Sequence, residues 1–178
     1  MVVLQARVRV WVVMAAPPGL LADLKARVIA PTLAFIGLGG QAAVNLLAGI
    51  ALAETGCRVL VQEGGGPALG LWQMEPFTHD DIWATFLPAP RLSSIRARLL
   101  ALQAGWPVGS DRATQLVGNL PYACAMARLK CYRAPDPLPG ADDAAGQCRF
   151  WKTNYNTALG AGDVDPQHVA LFAQAIEA

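Results

Sequence analysis

Charge is scarce in this chain. Lys, Arg, Asp and Glu make up 15% of its 178 residues, against about 25% in ordinary soluble domains. The 14 basic and 13 acidic residues nearly cancel, leaving a formal charge of +1. A balance so close to neutral offers little phosphate neutralisation, which excludes nucleic-acid binding by a broad basic surface. Zinc-type cysteine spacing is also missing: Cys57, Cys124, Cys131 and Cys148 contain no C-x-x-C pair, and the histidines, His79 and His168, lie far apart. Cys124 and Cys131, seven residues apart in a helical pattern, share a face and read as buried free thiols. No disulfide framework is implied. No apolar run reaches the ~18–20 residues of a membrane helix, and no internal repeat is present.

What is there is apolar. Hydrophobic residues are 54% of the chain, which excludes intrinsic disorder and fits one domain with a sizeable core. Few charges on so apolar a chain also suggest a surface partly covered by a partner. Residues 1–18 carry Arg7 and Arg9 ahead of an apolar stretch. They make a poor signal peptide and read equally as a strand over Val2–Val13, so they are taken as an N-terminal extension.

From residue 19 onward the period is helical. Leu20, Leu21, Leu24, Val28 and Ile29 predict a short amphipathic helix interrupted at Pro31. Gly37 to Gly40 breaks the pattern, Gln41 to Glu54 forms a strongly apolar helix, and Gly56 stops it. Gly64 to Pro67 is a loop, and Thr78 with Asp81 suggests a capping box for the next helix. Further helices are expected over Ser93–Ala104, Asp111–Gly118, Pro121–Tyr132, Asp142–Tyr155, and from Asp165-Pro166 to the C terminus. Arg58–Val61 is the one other strand signal. The expected fold is mainly α, with one domain over residues 19–178.

Two motifs compete for the first half of the chain. Thr32–Ile36 as a strand, Gly37-Leu38-Gly39-Gly40-Gln41-Ala42 as G-x-G-x-x-A, a helix from Val44 to Ala53 and Glu63 as the acidic residue together imitate a dinucleotide-binding unit. In that unit Gly37, Gly39 and Ala42 would let the backbone approach a pyrophosphate, and Glu63 would hold the ribose hydroxyls. Against it, Pro31 and the helical pattern before Gly37 disfavour a first strand, and no further strand–helix alternation follows.

The second motif uses Glu54. A carboxyl at the C-terminal end of an apolar helix meets desolvation and the negative end of the helix dipole, and both favour its protonated form. Such an acid can protonate a leaving glycosidic oxygen. The following Gly64-Gly65-Gly66 loop has little side-chain bulk, and Gln73 offers an amide.

Glu54-Thr55, followed 16 residues later by Gly70-Leu71-Trp72-Gln73-Met74, resembles the signature of lysozyme-like lytic transglycosylases. More narrowly, residues from about Arg27 to Gly162 resemble a group of bacteriophage and prophage proteins. The segments that carry this are Val28–Leu33, Gly64–Glu75, Thr78–Trp83, Asn119–Tyr122, and Phe150-Trp151-Lys152 with Asn154-Tyr155-Asn156 to Gly162. The resemblance implies a lysozyme-like helical domain acting on peptidoglycan glycan strands. Glu54 would be the catalytic acid/base, and Gln73, Met74, Tyr155 and Asn156 would line the groove. It implies no cofactor and no metal, a place in the virion or in the host cytoplasm or periplasm, and other virion or tail proteins as possible partners. Thr55 stands where the enzyme family usually has Ser, and the family's Ala-Tyr-Asn motif has no counterpart near Tyr122-Ala123-Cys124. A transglycosylase needs one carboxyl, whereas a hydrolase needs a second, for which Glu63 and Glu75 are nearest in sequence. His79, Asp80 and Asp81 sit in one helical turn, where they cannot all face one ion. Two other classes stay open: a non-enzymatic virion or tail component that keeps the fold, and the dinucleotide module.

Overall fold

A computed structural model describes residues 19–62, 64–106, 111–156 and 162–178. The expected strand at Val2–Val13 and the residue Glu63 lie outside them. The described chain is mainly helical and contains no strand.

The first helical run is longer than its sequence suggests. Helix α1 (Leu20–Leu24) passes through a π-helical turn, Lys25–Ile29, directly into α2 (Ala30–Ile36). Pro31 was expected to interrupt the run and does not. A proline inside a helix lacks the N–H for the carbonyl four residues back and crowds it, and the widened turn falls on that stretch of backbone. Gly37 then ends α2 in the left-handed conformation, at φ 76°.

Helix α3 (Gln41–Thr55) is the centre of the fold. It is buried from Ala43 to Leu52 without a break, as expected of a helix that is apolar on all faces. It packs against α7 (Leu120–Arg133) and α9 (Pro166–Glu177). The approach to α9 is close: a Cβ on Gly49 would stand 2.2 Å from Cδ1 of Phe172. Gly56 closes α3 at φ 57°.

The other helices surround this centre. Helix α4 (Pro76–Asp81) runs into a second π turn, Ile82–Phe86. Its start differs from the expected capping box. Pro76 takes the first turn behind an extended Glu75, and Thr78 makes no capping bond, since a proline at that place already fixes the helical φ. Helices α5 (Ser93–Gln103), α6 (Gln115–Gly118), α8 (Ala144–Phe150) and a third π turn, Trp151–Asn156, complete the set. Asn119, Asp143 and Asp165 cap α7, α8 and α9 with side-chain oxygens. The strand expected at Arg58–Val61 is only an isolated bridge: Val61 pairs with Leu69, which pairs in turn with Met74. Too few residues are extended there to build a ladder.

Candidate functional site around Glu54

The Glu54 carboxyl emerges at the end of α3 and meets the Trp151–Asn156 π turn. Its Oε1 accepts a hydrogen bond from Trp151 Nε1 at 2.8 Å, and the Asn156 side chain bonds the same carboxyl. Burial holds the Glu54 pKa above the ordinary carboxylate range. The hydrogen bonds from Trp151 and Asn156 and the charges of Lys130 and His168 oppose that rise without cancelling it. Glu54 is thus an acid surrounded by donors yet biased towards its protonated form.

Thr55 ties this helix end to a second element. Its Oγ1 lies 2.9 Å from the Ala51 carbonyl and 3.0 Å from the Leu71 carbonyl, sharing one proton between them. Leu71 belongs to a tight turn closed by paired Leu69–Met74 bonds of 3.0 Å in both directions. Gly70 opens the turn at φ 74°, where a Cβ would lie 2.1 Å from the Leu116 carbonyl oxygen. Two further clamps fix it. Trp72 Nε1 donates to the Leu47 carbonyl of α3 at 2.9 Å, and the Tyr155 hydroxyl donates to the Trp72 carbonyl at 2.7 Å. The turn, the end of α3 and the Trp151–Asn156 segment are therefore hydrogen-bonded into one unit.

Gln73 occupies a left-handed conformation at φ 42°, uncommon for a residue with a side chain. Its amide Nε2 folds back onto the Gly70 carbonyl at 2.9 Å, so its donors serve the turn. Met74, expected to line a groove, is 1% exposed and belongs to the core. It directly follows the turn's left-handed Gln73, and its pairing with Leu69 places it under the turn. Tyr155 is 2% exposed. It supports the site from beneath rather than from a groove wall, and burial drives its phenol pKa well up. Of the expected residues, Glu54, Tyr155 and Asn156 come together, and Gln73 sits on the attached turn.

Lys130, Trp151 and His168 were not singled out from the sequence. Lys130 Nζ lies 4.0 Å from the centroid of the Tyr155 ring, a cation–π distance. Burial lowers its pKa, and the charges of Glu54 and Glu75 act against that fall. Glu75, one of the two candidate second carboxylates, thus acts electrostatically on the same ammonium as Glu54. Trp151 stacks on His168 at a centroid distance of 5.2 Å. The signal for Trp151 was its residue type, because a buried indole N–H needs an acceptor.

The remaining candidates separate. Gly37 is a helix cap, and Thr32–Ile36, which the dinucleotide reading needs as a strand, is helix. Gly39 and Ala42 therefore follow a helix end and no strand. His79 points inward, with Nδ1 2.7 Å from Asp80 and Nε2 2.6 Å from the Tyr122 hydroxyl, while Asp81 pairs with Arg133. Among the described residues no three His, Cys, Asp or Glu side chains group as metal ligands. All four cysteines are free and buried. Among the described residues no helix is long and apolar enough to cross a membrane. Two open concavities, of about 300 and 360 Å³, lie along the loop between α7 and α8, and Glu54 lines neither.

Compared with known proteins, the chain matches no family model, no curated protein and no solved structure.

Proposed function

We propose that the chain cleaves the glycan strands of peptidoglycan, in the manner of a phage-encoded lytic transglycosylase or muramidase, with Glu54 as its acid/base. The observation that carries this is the Glu54 carboxyl, its proton affinity raised by burial at a helix end that Thr55 binds to the Gly70–Gln73 turn. Trp151 and Asn156 orient the carboxyl through hydrogen bonds, and its proton passes to the bridging glycosidic oxygen as the bond to the sugar breaks. In a transglycosylase the resulting carboxylate then takes the proton from the same sugar's 6-hydroxyl, whose oxygen closes an anhydro ring. In a hydrolase it would take the proton from water, assisted by a second carboxylate. Lys130, whose charge is coupled to those of Glu54 and Glu75, would stabilise whichever carboxyl is ionised. Mass spectrometry of digested peptidoglycan decides between the two: anhydro ends mark the first, reducing ends the second. Absence of any released fragment from folded protein across pH 4–8 rejects both.

One observation favours a non-enzymatic second reading, a virion or tail component. Phe77 is 80% exposed, and Leu60 and Val61 are exposed as well. Isolated apolar residues at a surface are ordinary, but Phe77 so bare is suited to burial against a neighbouring protein. Cosedimentation with phage particles, in the absence of lytic activity, would select this reading.

A further inference from the structure

Among the described residues, Arg128 of α7 is a buried cation with no carboxylate paired to it. It is 6% exposed. Its Nε donates to the Leu38 carbonyl at 3.1 Å, and its guanidinium carbon lies 5.6 Å from the centroid of the Tyr132 ring. Nη1 is shut from solvent and has no hydrogen-bond partner among the described residues, and no acidic side chain there pairs with it. Arginine cannot shed its charge in a protein. A buried charge is costly unless paired, and an unmet buried donor adds to that cost.

The same arginine lines the larger of the two concavities, about 360 Å³, together with Tyr132, Ala134, Pro135, Pro137 and Leu138. That volume falls within the range of small-molecule sites. Its walls are mostly apolar, with one cation at Arg128. Asp136 also lines it, and accepts a bond from Asn154 at 3.1 Å. Cys131 offers no nucleophile, because burial lifts its thiol pKa to about 12.

We propose that this concavity is a binding site for a carboxylate, whose single negative charge pairs with Arg128 while its apolar part rests on Pro135, Pro137 and Leu138. A carboxylate is the charge-assisted acceptor a guanidinium pairs with. A dianionic phosphate fits less well, because Asp136 would repel its second charge and the walls offer it few donors. The site is separate from Glu54 and does not depend on the glycan-cleaving reading. The carboxylate can belong to a free organic acid or to the C-terminus of a peptide, and the test separates the two.

Thermal unfolding of the full chain is followed while titrating propionate, propionamide, inorganic phosphate, and a short apolar peptide with either a free or an amidated C-terminus. A saturable rise in Tm with propionate, absent with propionamide and weaker with phosphate, is expected. A tighter response to the free-acid peptide than to propionate, lost on amidation, identifies a peptide terminus; an equal or weaker one identifies a free acid. Arg128→Met should abolish the response, and Arg128→Lys should weaken it at least tenfold. Ala134→Phe tests the site with Arg128 in place, filling the concavity and abolishing binding, and so decides the matter if Arg128→Met does not fold. An unchanged response in folded Arg128→Met or in Ala134→Phe, or no saturable response to any carboxylate, overturns the proposal.

Discussion

Replacing Glu54 by Gln separates an acid that transfers a proton from one that merely fills a place. The amide keeps the shape, and its oxygen can still accept the 2.8 Å bond from Trp151 Nε1, so the unit joining α3, the Gly70–Gln73 turn and the Trp151–Asn156 segment should stay assembled. What disappears is the transferable proton. General acid–base help is worth about 10²–10⁴-fold, or about 2.7–5.4 kcal/mol of barrier, so clearing of purified peptidoglycan should fall by that factor. Stability should move the other way. Because burial raises the folded-state pKa of Glu54, the folded chain holds this proton more tightly than the unfolded chain does. The carboxyl's contribution is therefore fully present below the unfolded value of about 4.3, and is lost as pH rises through the folded pKa. Glu54→Gln lacks this dependence, so its stability relative to the parent chain should increase from pH 4 to pH 7. Chemical denaturation at the two pH values, beside turbidity clearing, measures both effects. A variant that clears peptidoglycan as fast as the parent would refute the catalytic argument. Stability that falls more at pH 7 than at pH 4 would refute the electrostatic one.

Three further outcomes follow from the packing. Trp151→Phe removes the donor to Glu54 while keeping an aromatic ring beside Phe172. An unmet buried acceptor costs about 1–3 kcal/mol, and the alkaline limb of any pH–rate profile, where Glu54 loses the proton it must donate, should shift upward because a bond that lowers the Glu54 pKa is gone. Gly49→Ala drives a methyl against the Phe172 ring and should cost about 1–3 kcal/mol in urea unfolding, whereas a neutral result would show that α3 and α9 are not in close contact. His79 is fully buried and its pKa lies below the ordinary histidine value, chiefly through desolvation. The unfolded chain therefore binds the extra proton first, and stability should drop as pH falls below about 6.5. His79→Gln should flatten that part of the stability profile, and an unchanged profile would remove His79 as its source.

The sequence by itself determined the helical character and most of the helix ends. Gly37 and Gly56 stop helices because they alone adopt the left-handed cap without strain, and Asn119, Asp143 and Asp165 start them because their short side chains satisfy the first free N–H groups. These are local effects, complete within a few residues. Pro31 could not be read this way. Whether a proline breaks a helix or is absorbed by a widened turn depends on whether the two halves are both buried, and Ile29, Leu33 and Ile36 are. Glu54 stood out locally, as a carboxyl ending an apolar helix. Its partners did not, because Lys130, Trp151 and His168 are 76 to 114 residues away, and only the packing of α7, the π turn and α9 on α3 brings them to it. Met74 and Tyr155 show the opposite limit. The resemblance placed them in a groove, but side-chain direction is set by the Leu69–Met74 pairing and the Tyr155–Trp72 bond, and both side chains are buried. Arg128 was silent in the sequence altogether: an arginine in a helix reads as solvated, and burial beneath the loop after α7 is a property of the tertiary structure alone.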